Sequence, residues 1–194
     1  MTKYRGHLPQ LADRLFLTDG GIETDLIFNG DFELPHFAAF HLLKDEKGLE
    51  ALRAYYTRYA AIARDNSYGF ILESPTWRAS SDWGDKLGYS RPALAAINAR
   101  AIDLMSELRE RFDAPNTPVV ISGCVGPRGD GYVPDHVPSR EEAESYHAAQ
   151  IGVFAKSDAD LVTAITMTMR TKQLASLARR SPPACQSPLP SRLR

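Results

Sequence analysis

Cysteine is almost absent: Cys124 and Cys185 are the only two among 194 residues. They are too few and too far apart for a disulfide framework, so a reducing, cytoplasmic setting is expected. Long apolar runs are missing as well. No stretch approaches the ~20 apolar residues that span a bilayer, and Met1-Thr2-Lys3-Tyr4-Arg5-Gly6-His7 lacks the apolar core of a signal peptide. Net charge is nearly absent too, at -1. Nothing in it argues for nucleic acid or an anionic membrane as a partner. The one uneven shortage is of acids after Thr168. That stretch holds none, while six of the 23 basic residues fall there, leaving 17 against all 24 acids in residues 1–168, a net of -7. Four of the 13 prolines also lie between Ser181 and Ser191. Residues 169–194 therefore read as a basic, Pro/Ser-rich tail, unlike the body before it.

What is present is ordinary globular material, 43% hydrophobic and 24% charged, enough for one domain with a real core. Its organising stretch is Leu15-Phe16-Leu17-Thr18-Asp19-Gly20-Gly21. A buried strand over 15–18 stops at an acid, and two glycines allow backbone to come close to whatever Asp19 faces. The layout recurs: Phe70-Ile71-Leu72 ends at Glu73, and Val119-Val120-Ile121-Ser122 ends at Gly123-Cys124. Helical spacing predicts helices over 48–66, 91–112 and 139–157, the last opened by a Ser139/Glu142 capping box. Leu26-Ile27-Phe28 reads as the start of a short helix, Ser74 to Ser90 as a long loop, and 172–180 as a short helix. A fourth strand is expected over 160–166. Strand and helix alternate four times, which predicts an α/β fold with a parallel sheet. Such sheets keep their chemistry at the strand C-termini, so Asp19, Glu73 and Cys124 should share one rim. Blander readings stand beside these. Asp19 could serve only as the N-cap of the next element. Glu73 could pair with Arg78 or Arg128. Cys124 fits a small buried turn residue, and His147 a packing or surface histidine.

Four segments resemble the homocysteine S-methyltransferase family, which includes betaine–homocysteine methyltransferases. They are Thr18-Asp19-Gly20-Gly21-Ile22-Glu23-Thr24, Glu73-Ser74-Pro75-Thr76-Trp77, Ser122-Gly123-Cys124-Val125-Gly126-Pro127, and Tyr146-His147-Ala148-Ala149-Gln150 with Asp158-Ala159-Asp160-Leu161. The resemblance implies the first four βα units of a (β/α)8 TIM barrel, incomplete, over residues 1–168. It implies methyl transfer from a methyl donor to a thiol acceptor such as homocysteine, giving methionine. Asp19, Gly20, Gly21 and Glu73 would be the substrate-binding residues. The family also implies zinc held by cysteines in Asn-Cys and Gly-Gly-Cys-Cys segments, and neither segment occurs here. Ile165-Thr166 departs from the family's common Glu-Thr. The alternative is a truncated, catalytically inactive fragment, and its sheet edges would favour self-association.

Overall fold

The computed structural model describes residues 2–131 and 138–167. The basic tail with its expected helix over 172–180, Cys185 and His136 lie outside the described residues. Four strands form one parallel sheet in the order β1-β2-β3-β4: Phe16–Thr18, Gly69–Glu73, Val119–Val125 and Leu161–Ala164. Between them run α1 (Ile22–Phe28), α2 (Glu46–Asp65), α3 (Ser81–Lys86), α4 (Arg91–Phe112) and α5 (Arg140–Ala155). Strands 1 and 4 are the sheet edges among the described residues. The expected α/β architecture is present.

The pleat divides the sheet into two unlike faces, because successive strand residues point to opposite sides. Leu17, Phe70, Leu72, Val119, Ile121, Val125 and Val162 join the main core under α2, α4 and α5. On α2 this core takes Leu49, Leu52, Tyr56 and Ala63, with Tyr59 only partly buried. On α4 it takes Ile97, Ala101, Leu104, Met105 and Leu108. Helix ends follow the sequence: Ser90 accepts from the Ala93 amide, and Ser139 and Glu142 close a reciprocal capping box. The other face carries Phe16, Ile71, Val120 and Leu161. At its lower end these pack with Tyr4 and Leu8 from the N-terminal lead-in.

The lead-in is also tied down by polar contacts. Asp160, with no exposed surface, accepts from the Tyr4 amide at 2.8 Å, the Ile121 amide at 3.0 Å and Arg109 Nη1 at 2.9 Å. The Arg5 guanidinium donates to the carbonyls of Phe154, Ala155, Ser157 and Ala159 around the end of α5. The lower end of the inner face is thus closed, and only its upper end is left for a site.

Several expectations need correction. The third strand does not stop at Ser122; it runs on through Gly123, Cys124 and Val125, every residue buried. Glycine there serves packing rather than a turn, because Phe154 of α5 occupies the space a Cβ would take, its ring 2.5 Å from that position. Leu26-Ile27-Phe28 closes α1 rather than opening it. The 74–90 connection contains α3. On α5, helical spacing counts Tyr146 among the buried positions, but it is only partly buried; the packing reading of His147 holds, since that side chain is buried.

Candidate functional site

The upper ends of the strands open into a cleft of about 770 Å³. Asp19, Gly20, Gly21, Glu73 and Cys124 all line it. The strands thus bring the expected rim residues together. Cys124 joins them from within a strand, not from a turn.

Asp19 follows β1 and is held from behind by α2: Tyr55 Oη donates to its Oδ2 at 3.0 Å. Burial pushes the Asp19 carboxyl up to about 6, against the pull of the Tyr55 hydrogen bond. The same helix also comes close to Gly20, where a Cβ would lie 2.7 Å from Tyr59 Oη. Gly21 caps α1 and has room around it.

Glu73 ends β2. Burial pushes its carboxyl up to about 7, and the charge of Asp19 adds to this; the neighbouring Thr163 and Ser122 hydroxyls pull the other way. Its Oε2 is buried with no hydrogen-bond partner among the described residues. The suggested pairing with Arg128 does not form: Arg128 bonds Asp82 at 3.0 Å. Arg78 donates to the His36 carbonyl. Glu23, on the first turn of α1, lines the same cleft. Burial raises its pKa, the charge of Arg78 lowers it, and Asp19 raises it again.

One wall is the segment 74–80. Ser74 Oγ meets Thr76 Oγ1 at 2.7 Å and accepts from the Cys124 amide at 3.0 Å, while Thr76 Oγ1 donates to the Cys124 carbonyl at 2.7 Å. Beneath it, Gln150 Nε2 donates to the Thr76 carbonyl at 2.9 Å and to Asn98 Oδ1 at 3.0 Å. Trp77 Nε1 reaches across to Thr166 Oγ1 at 3.0 Å. The sequence marked Trp77 and Trp83 as loop residues but gave no sign that Arg78 lies against both indoles, 4.7 and 4.1 Å from the ring centroids.

A metal fits poorly here. Among the described residues no group of three His, Cys, Asp or Glu side chains stands close enough to hold one. Burial, with Glu73, Glu23 and Asp19 nearby, pushes the Cys124 thiol well above its ordinary value, opposite to what a thiolate ligand needs. The residues described do not fit the zinc site that the family resemblance implies.

The homocysteine S-methyltransferase family model matches residues 16–187. The chain belongs to this family. Its fold is similar to the homocysteine methyltransferase MmuM from Escherichia coli. The metallated form is 18% identical with a TM-score of 0.69, covering 89% of this chain and 60% of that one. The oxidized form is 19% identical with a TM-score of 0.72, covering 89% and 59%. The chain therefore spans about three-fifths of the length of these relatives. Comparison with curated protein sequences gives no significant match. No helix among the described residues is long and apolar enough to cross a membrane.

Proposed function

We propose that the cleft holds the acceptor amino acid of a homocysteine S-methyltransferase, with Asp19 and Glu73 receiving its ammonium group and the Gly20-Gly21 backbone lying against its carboxylate. The observation that carries this reading is the Glu73 carboxylate. The residue is half-buried, its Oε2 is buried with no partner among the described residues, and it stands near a second half-buried acid, Asp19. A buried acceptor without a donor is costly unless a ligand supplies one. A primary ammonium offers three donors and a positive charge, enough to engage both carboxylates. Two acids raised to about 6 and about 7 are partly protonated near neutrality. A bound ammonium draws both back to the charged form and releases protons.

Family membership supports a thiol acceptor such as homocysteine, with a methyl group passing from the donor's heteroatom to the acceptor sulfur and the thiol proton leaving. Methyl transfer, production of methionine and a cytoplasmic setting are proposals for this chain. The described residues supply the amino-acid end of such a site. Trp77 lines the cleft, so its fluorescence reports occupancy. Titration with methionine should change the emission to saturation in the unmodified chain. Asp19→Asn and Glu73→Gln should each weaken the response about tenfold or more. Equal affinity in both variants would remove these acids from the site.

A further inference from the structure

We propose that Ser122 and Thr163 are positioning residues for Glu73: their paired hydroxyls hold its carboxyl at the inner end of the cleft, so that Oε2 is the atom presented to the ligand ammonium. The inference rests on the amino-acid reading above and adds to it two positioning residues. The three side chains come from three neighbouring strands. Glu73 ends β2 opposite Ser122 of β3, and Thr163 of β4 lies opposite Cys124, two residues beyond Ser122. Ser122 Oγ and Thr163 Oγ1 are 2.7 Å apart. Glu73 and Thr163 line the cleft, while Ser122 has no exposed surface.

Packing does not call for hydroxyls here. Lower on the same face of the sheet Ile71, Val120 and Leu161 pack together, and barrel sheets fill this face with branched apolar side chains. A buried hydroxyl costs free energy unless it is bonded. This pair is bonded internally and to Glu73: burial raises the Glu73 carboxyl, and the hydroxyls draw it back, Thr163 more than Ser122. Two hydroxyls carry two protons. One is spent on the bond between them, and the other is left to donate to an ionised carboxylate. A protonated Glu73 can reverse the chain, donating to one hydroxyl, which donates to the other. The pair therefore fits either form of the acid. Because Oε2 has no partner among the described residues, the hold is on the other oxygen. The remaining charged and titratable groups around the cleft are Asp19, Glu23, Arg78, Cys124 and Asp130, with Tyr56 of α2. Asp19 among them raises Glu73, and Tyr56 Oη donates to the Glu73 backbone carbonyl at 2.7 Å, which fixes the backbone and leaves the carboxyl to the hydroxyl pair.

A structural role competes with this one, since a Ser–Thr hydrogen bond across two strands helps to hold them together. Loss of a bond that served only the sheet would weaken the fold and leave the titration of Glu73 where it was. The two roles separate in two measurements on the full chain. Carboxyl-carbon NMR follows the Glu73 side chain from pH 5 to pH 9 without ligand, with Glu73→Gln identifying its signal. Trp77 fluorescence follows methionine binding at pH 6 and at pH 8.5. Thr163→Val removes one hydroxyl and keeps the shape, Ser122→Ala removes the other, and Thr163→Ser keeps a hydroxyl at the same place; either of the first two decides the matter should the other fail to fold. Thr163→Val should move the Glu73 midpoint upward by about half a pH unit or more, and weaken methionine binding about threefold or more at pH 6 but less than about twofold at pH 8.5. Ser122→Ala should act in the same direction by less, and Thr163→Ser should keep the unmodified profile. An unmoved Glu73 midpoint in a folded variant, or an equal loss of methionine binding at both pH values, would overturn the role of the hydroxyls while leaving the amino-acid site standing. Absence of methionine binding by the unmodified chain would overturn the amino-acid reading itself, and the Glu73 midpoint would still decide whether the hydroxyls hold that carboxyl.

Discussion

Tyr55 of α2 donates its hydroxyl to Asp19 Oδ2 at 3.0 Å, so a helix on the outer layer sets the charge of a carboxylate at the strand exit. Burial alone would push Asp19 higher than about 6; the Tyr55 hydrogen bond holds it down. Tyr55→Phe should therefore raise the Asp19 pKa further. Affinity for an ammonium ligand at pH 6 should fall several-fold and recover as the pH is raised toward 8. A calorimetric pH series on both proteins checks this; identical pH profiles would mean that Tyr55 only packs.

Glu73 makes the fold pH-sensitive in a defined direction. Its ordinary value is 4.5 and its value in the fold about 7; Asp19 moves from 3.8 to about 6. Both are raised, so between these limits the folded chain binds more protons than the unfolded one. Stability is then highest below about pH 4 from these two groups and is lost as pH rises to about 7, by roughly 3 kcal/mol at most for each group before solvent screening reduces it. Glu73→Gln should flatten much of that slope and be more stable than the unmodified chain at pH 8, while binding ligand worse. Denaturant melts at pH 5 and pH 8 test it. A steeper slope in the variant would contradict the assignment.

At the opposite end of the sheet, the Asp160–Arg109 pair is structural. Asp160 is wholly buried and the Arg109 side chain is 10% exposed. Asp160→Ala leaves a buried guanidinium and the Ile121 and Tyr4 amides without their acceptor, and should cost about 3–5 kcal/mol. Asp160→Ala with Arg109→Leu should recover part of the loss. Thermal unfolding of the three proteins measures it, and equal destabilisation of single and double variants would sink the coupling.

Two glycines predict unequal effects. A Cβ at Gly126 would lie 2.4 Å from the Trp77 carbonyl oxygen, which is backbone, whereas one at Gly20 meets only the far end of the Tyr59 side chain at 2.7 Å. Gly126→Ala must displace the segment that carries Trp77 and Arg78. It should cost about 1–3 kcal/mol and weaken ligand binding about tenfold. Gly20→Ala should cost less, since Tyr59 can swing. The opposite ranking in melts and titrations would contradict this account of the wall.

The sequence carried the strands and long helices well, because their signals are local. Ser90 and Pro92 mark one end of α4, and the Asp113–Pro118 break marks the other. The rim acids were legible for the same reason: each ends a short apolar run. What was not legible depended on partners distant in the chain. Gly123-Cys124 looks like a turn until Phe154 is seen filling the space above Gly123. Residues 4–8 look like a lead-in until Arg5 and Tyr4 are seen closing the lower end of the sheet. The place of Arg78 depends on an indole five positions away, brought to it by α3.

The most direct test of the central claim is calorimetry of the 194-residue chain with homocysteine and with methionine at pH 6.5, in two buffers of different ionisation enthalpy. The account predicts saturable one-site binding of at least one of them, with proton release on binding as Glu73 and Asp19 ionise against the ammonium. No heat from either amino acid, in a chain shown to be folded, would contradict it.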